Sequence, residues 1–145
     1  MGDAGRFQFV EGPTSDLAFE AHGATLEAVF TAAGEAFLAA TVEHPDGVEA
    51  RESRSVELEE PDLELLLLRF LNELVYLRDA EELLLHPDSL EISDDGVARL
   101  RGRLVGERIA RPRHALLSDV KAATAHGLRL LHRGEEWIAT ATLDV

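Results

Sequence analysis

The chain contains no cysteine. Disulfides, thiol catalysis and cysteine-ligated zinc or iron–sulfur centres are therefore excluded. No apolar run is long enough to span a bilayer, and no secretory leader opens the sequence, so a cytoplasmic protein with no membrane partner is expected. There is no Gly-rich phosphate loop and no serine in a nucleophile elbow. The six histidines, at positions 22, 44, 86, 114, 126 and 132, include no pair at helical metal spacing. Each reads as a surface or turn histidine rather than a ligand. Lysine is nearly absent too: of 14 basic residues, 13 are arginine and only Lys121 is lysine. Coding bias in a chain rich in Leu, Ala, Gly and Arg would account for that, as would a high-salt interior. Either way, the one remaining lysine hints at a role that arginine does not fill.

Acid is abundant. Asp and Glu number 28 against 14 Lys and Arg, a formal charge of −14. A protein that grips phosphates carries a basic stripe instead, so tight direct binding of nucleic acid is not expected. The acidity favours a solvated surface, cation binding or a basic partner protein. In so acidic a chain, paired carboxylates are uninformative by themselves.

At 145 residues the chain is long enough for one domain with its own core, taken as 1–145. Arg6 to Glu11 alternates and reads as a strand; Gly12 to Ser15 are turn residues. Leu17 to His22 is a second strand. Thr25 is a good N-cap for a helix whose stripe is Leu26, Val29, Phe30, Ala33, Phe37 and Ala40. His44 to Gly47 is a turn, and Arg54 to Leu58 a strand with Val56 and Leu58 inward. Pro61 and Asp62 open a second helix over 63–79, its core stripe formed by Leu63, Leu66, Leu67, Phe70, Leu71, Leu74 and Leu77. Leu65, Leu68, Val75 and Tyr76 widen that stripe, which predicts burial on two sides or, alternatively, a partner groove.

Leu83–Leu85 and Ser89–Ser93 read as short extended pieces. Asp94, Asp95 and Gly96 signal a hairpin. The returning strand, Val97 to Gly106, puts Arg99, Arg101 and Arg103 on one face, either a solvated strand face or a docking patch. Arg108 to His114 is a loop. Asp119–Thr124 and Gly127–Leu131 are strands, or one strand with a bulge near His126 and Gly127. The final strand runs from Trp137 to Val145. The pattern predicts an α+β fold: two main helices packed on one face of a mainly antiparallel sheet.

That last strand carries a chemical suggestion. Asp144 and the α-carboxylate of Val145 are two hard oxygen anions on adjacent residues, suited to a hard cation such as Ca²⁺ or Mg²⁺. The plain alternative is a strand at which the chain merely stops.

Four blocks together resemble the archease family, small proteins that activate the GTP-dependent tRNA-splicing RNA ligase. Thr14 to Leu17 with Phe19 to Phe30 resembles the family's H-T-A-D-V-x-x-E-A-x-G-x-T-L-E-E-A-F. Leu66 to Asp79 resembles L-L-x-x-W-L-N-E-L-L-Y-L-x-D. Asp119 to His126 resembles E-V-K-A-V-T-Y-H, and Trp137 to Val145 resembles an ending in F-D-I or F-D-V. The blocks follow the family's order and span nearly the whole chain. One departure stands out: where the family has Asp-His before the Thr, this chain has Glu11, Gly12 and Pro13, so the His is missing.

The resemblance implies a metal site made by Asp16, Asp144 and the terminal carboxylate of Val145, holding a divalent cation, with Ca²⁺ first and Mg²⁺ or Mn²⁺ as alternatives. It implies that Lys121 serves ligase activation; the plain alternative is a salt bridge from Lys121 to one of these carboxylates. It implies a protein cofactor rather than an enzyme, one that promotes ligase guanylylation and repeated turnover in tRNA splicing and RNA repair. Two other readings of the same carboxylates are a metal-dependent hydrolase and a plain Ca²⁺-binding structural domain.

Overall fold

Two side-chain caps start the helices. Thr25 Oγ1 accepts the Ala28 N–H at 3.0 Å, opening α1 (Leu26–Thr41). Asp62 Oδ1 accepts the Leu65 N–H at 2.9 Å, opening α2 (Leu63–Glu81). Each cap satisfies one of the amide donors that the first turn leaves unpaired. The computed structural model describes residues 5–10, 16–110 and 114–145. Among the described residues seven strands accompany the helices: β1 (Arg6–Val10), β2 (Leu17–Gly23), β3 (Glu52–Glu60), β4 (Leu83–Asp94), β5 (Ala98–Arg108), β6 (Ala122–Arg133) and β7 (Glu136–Asp144).

The fold is α+β in one domain, as the pattern predicts, but the strands divide between two antiparallel sheets. One has the order β1-β2-β7-β6, the other β3-β5-β4. A single core joins them. Phe19 and Ala21 of β2, Ala139, Ala141 and Leu143 of β7, and Leu58, Leu100 and Leu104 of the second sheet belong to one buried cluster with residues of both helices. The expected stripe of α1 is buried except Leu26, which is half-buried, and Phe30 meets Phe70 of α2 with ring centroids 5.9 Å apart.

Several expectations change. The two short pieces after α2 form one strand, β4, whose register shifts between Pro87 and Ser89. Pro87 is tolerated because β4 is an edge strand. It lies against Gly34 of α1, where an added Cβ would stand 2.7 Å from the Pro87 Cδ. On α2, Leu65 and Tyr76 are exposed and do not extend the buried face. Strand β6 begins at Ala122 rather than Asp119, and it is one strand with a register shift between Thr124 and Arg129. Gly127, within that shift, has φ +70°, a left-handed conformation that glycine adopts without strain. Strand β7 ends at Asp144, so Val145 lies just beyond the ladder; its side chain packs against the core. Glu11 and the expected turn at 12–15 lie outside the described residues, as does the middle of the expected 108–114 loop.

His44, His126 and His132 are exposed as expected, but His22 and His114 are not. The His22 side chain is only 13% exposed, with Nε2 2.7 Å from Glu20 and Nδ1 3.2 Å from Glu136. Glu136 also accepts from Arg6 at 2.8 Å, which ties β1 to β7, and Arg6 first, then His22, lowers the Glu136 pKa. His114 is buried beside Glu107, its Nδ1 accepting the Ala110 N–H at 2.9 Å.

Candidate functional site

Register brings the sequence-predicted residues to one end of the four-stranded sheet. Leu17 of β2 pairs with Leu143 of β7. Asp16 directly precedes the first and Asp144 directly follows the second. On the other side of β7, Ala122 pairs with Asp144, and the Lys121 N–H donates to the Asp144 carbonyl at 2.8 Å. The order β2-β7-β6 therefore sets Asp16, the Asp144–Val145 pair and Lys121 in sequence across three neighbouring chain segments. Along β7, Ala139, Ala141 and Leu143 face the core, so alternation assigns Asp144, with Thr140 and Thr142, to the face away from the helices.

Asp16, Asp144 and Val145 are half-buried, and Lys121 is exposed. Lys121 makes no ion pair with any described residue, so the expected alternative, a salt bridge to one of these carboxylates, is not formed. Among the described residues no group of three or more histidine, aspartate or glutamate side chains is arranged to hold a metal. The expected set differs in kind, because one of its three donors is the α-carboxylate of Val145 rather than a side chain. All its donors are carboxylate oxygens, the chemistry that fits a hard divalent cation and not a soft one.

The other sequence-level candidate was the arginine stripe of β5. Arg99 contacts Glu59 at 3.2 Å and Asp95 at 3.1 Å, Arg101 contacts Glu91 at 2.7 Å, and Arg103 lies 3.7 Å from Asp88. Acids from β3 and β4 flank the stripe, which makes it a solvated, locally neutralised strand face. A cleft of about 860 Å³ opens at this sheet, lined by Glu27, Glu57, Arg69 and Arg101 among others. It lies on the sheet that does not carry Asp16, Asp144 or Lys121, and its charges of both signs give it no clear ligand class.

Sequence reading overlooked the side chains that brace the site. Asn72 and Arg78 reach from α2 to the backbone on either side of Lys121. The available signal was an asparagine and an arginine set within a leucine-rich helix.

Comparison with known proteins agrees with the resemblance seen in the sequence. The profile of the Archease protein family (MTH1598/TM1083) matches residues 7–145. A protein archease of Pyrobaculum neutrophilum is 34% identical over 134 residues, covering 91% of this chain and 90% of its own. One from Pyrococcus furiosus is 33% identical over 134 residues, covering 91% and 94%. The solution structure of Methanobacterium thermoautotrophicum protein 1598 superposes with a TM-score of 0.83 at 33% identity, covering 96% of this chain and 98% of that one. An archease from Thermotoga maritima, described as a "possible chaperone", shares the fold with a TM-score of 0.56 at 16% identity, covering 95% and 99%. This chain belongs to the archease family.

Proposed function

We propose that this protein activates a GTP-dependent tRNA-splicing RNA ligase, promoting guanylylation of the ligase and its repeated turnover in tRNA splicing and RNA repair. It acts as a protein cofactor in the cytoplasm and performs no ligation itself. Asp16, Asp144 and the α-carboxylate of Val145 hold a divalent cation, Ca²⁺ first, with Mg²⁺ or Mn²⁺ as alternatives. Lys121 is the residue through which activation depends on this end of the sheet.

The observation that carries the reading is the convergence of Asp16, Asp144, Val145 and Lys121 on one end of the β2-β7-β6 sheet. If the register continues one step past Leu17 and Leu143, cross-strand Cβ atoms stand about 4.5–5.5 Å apart, within reach of a shared ion. When bound, the cation supplies a fixed positive charge at the protein tip. Three carboxylates of one sign at one strand end repel one another, and a cation relieves that repulsion. Lys121 then presents a compact, mobile ammonium to an acidic group of the ligase or its nucleotide. The charge of −14 suits docking on a basic, RNA-binding enzyme, where complementarity speeds encounter and fixes orientation. The "possible chaperone" description of the Thermotoga protein is compatible with an action exerted on a partner protein.

The test is reconstitution. Purified protein is incubated with a cognate ligase, GTP, a divalent cation and RNA bearing splicing ends. Faster guanylylation and multiple turnover, only when both proteins are present, is the expected result. RNA or nucleotide turnover without ligase would replace this reading with a hydrolase. Silence in both arms, with Ca²⁺ still bound, would leave a structural calcium domain. In the same assay Lys121→Ala should lose most of the stimulation while its melting temperature stays near wild type, and Lys121→Arg should recover it only in part.

A further inference from the structure

Strand β6 is an edge strand of its sheet: β7 pairs with it on one side, and among the described residues no strand pairs on the other. Along that open side runs α2. The Asn72 Nδ2 donates to the Ala123 carbonyl at 3.1 Å and to the Leu68 carbonyl at 3.2 Å, while Asn72 Oδ1 accepts the Ala123 N–H at 2.9 Å. One side-chain amide thus does for Ala123 what a neighbouring strand would do. Glu64 does half as much further along, accepting the Leu130 N–H at 2.9 Å.

Arg78 grips the chain on the other side of Lys121. It is 7% exposed, a depth at which an arginine needs partners throughout. Its NH2 donates to the Val120 carbonyl and contacts Asp119 at 3.4 Å. Its Nε and NH2 donate to Asp79 at 3.1 and 2.8 Å, and its guanidinium carbon lies 5.9 Å from the Phe37 ring centroid. Spacing makes the double grip possible. Six helical residues rise about 9 Å, and three extended residues span about 10 Å. Asn72 to Arg78 on the helix therefore matches Ala123 to Val120 on the extended segment that leads into β6, which runs antiparallel to it.

We infer that Asn72 and Arg78 are positioning residues for Lys121. Helix α2 holds the backbone at Val120 and Ala123, β7 holds it at Lys121 through the Asp144 carbonyl, and the lysine side chain is left as the exposed group between these fixed points. Because the two grips act on backbone atoms, they set where the Cα of Lys121 sits without neutralising its ammonium. The Lys121 N–H to Asp144 carbonyl bond ties the same backbone to β7, the strand that carries the Asp144 carboxylate, and so relates lysine and carboxylate in position. The inference rests on the activating role proposed for Lys121.

Asn72→Ala and Arg78→Lys test it, with Lys121→Ala as reference. Two readouts are taken: amide hydrogen exchange by NMR, and stimulation of ligase guanylylation per folded molecule. Each grip variant should speed exchange at the Lys121 and Ala123 amides by about tenfold or more, while the Leu100 and Leu104 amides of the other sheet keep wild-type rates. Stimulation should fall by about tenfold, and Asn72→Ala should add nothing once Lys121 is already Ala. A merely structural asparagine would not show that loss of effect. If Asn72→Ala does not fold, Asn72→Ser replaces it, a shorter neutral side chain that cannot hold both the N–H and the carbonyl of Ala123. Faster exchange with full stimulation overturns the inference, as does an equal loss with and without Lys121. Full stimulation by Lys121→Ala overturns the proposed role of the lysine, an outcome recognisable without any grip variant.

Discussion

The two sheets treat charge in opposite ways. On β3-β5-β4, Arg99, Arg101 and Arg103 of the central strand each face a carboxylate from a flanking strand or turn, and the stripe is neutralised where it stands. At the end of β2-β7-β6, register sets Asp16 and Asp144 at neighbouring strand ends beside Val145, and Lys121, on the adjoining segment, forms no ion pair with any described residue. Exposed local pairs are individually worth about 0–1 kcal/mol and need no function to explain them. Like charges gathered at a strand end cost free energy, and an ion or a partner is what offsets that cost. The difference separates a basic stripe that draws the eye in the sequence from a quieter constellation that carries the proposed activity.

The sharpest way to break this comparison is to remove the gathered charge. Asp144→Asn keeps the shape and removes one charge, and an extension after Val145 turns its carboxylate into a neutral amide. Both should weaken Ca²⁺ binding by at least the roughly 10–100-fold that losing an outer partner of a metal site costs, read by calorimetry, and should lower ligase stimulation in parallel. An N-terminal tag should do neither. Equal affinity in all forms would reduce this strand end to the status of the arginine face.

Next in size is a change that touches both sheets. Phe70 is fully buried in the shared core, and Phe70→Ala should destabilise the fold by about 3–5 kcal/mol in denaturant unfolding. Stimulation per folded molecule should stay near wild type. A loss below ~1 kcal/mol with stimulation gone would move Phe70 to a partner interface.

A smaller effect concerns the helix α1 contact with β4. A hydrogen bond with Glu35, at 2.9 Å, is the main cause that raises the His86 pKa above the ordinary 6.5; burial opposes it and Asp88 adds to it. A raised folded-state value stabilises the protein fully below the unfolded value, and the contribution is lost as pH rises through the folded value. Stability should therefore decline modestly on going upward from about pH 6.5, and His86→Gln should flatten that part of the curve in thermal melts. The smallest change is expected from Arg101→Ala on the neutralised face: thermal melts close to wild type and unaltered stimulation. Lost stimulation there would erase the contrast between the sheets.

Periodicity made the inner stripes of both helices legible, and the caps at Thr25 and Asp62 fell where serine-like and acidic residues precede apolar runs. The split into two sheets was not legible, because strand pairing is settled between residues far apart in sequence. Pro87 reads as a breaker when its missing N–H is considered alone, and the space that Gly34 leaves for it belongs to another element. Asp119 to Lys121 has strand-like residues, yet the Val120 carbonyl is taken by Arg78 and the ladder starts at Ala122. Within the candidate site, Asp144 and Val145 stood out because they are adjacent at the chain end, whereas Asp16 was reached only through the family resemblance. Asn72 and Arg78 act on backbone atoms, and no sequence pattern records which backbone a side chain will find.

Strand β7 has one more consequence, which concerns time. It sits in the middle of its sheet between β2 and β6, yet it follows every other element along the chain, and its pairing with β2 joins residue 17 to residue 143. Contacts of such long range form slowly, because chain closure is paid before they return any stabilisation. A nascent chain can build α1, α2 and the β3-β5-β4 sheet from nearer neighbours and still lack the strand that unites β1 and β2 with β6. Until β7 arrives, β2 and β6 each present an unpaired edge to other nascent chains. Aggregation during synthesis should therefore be governed by how soon β7 becomes available.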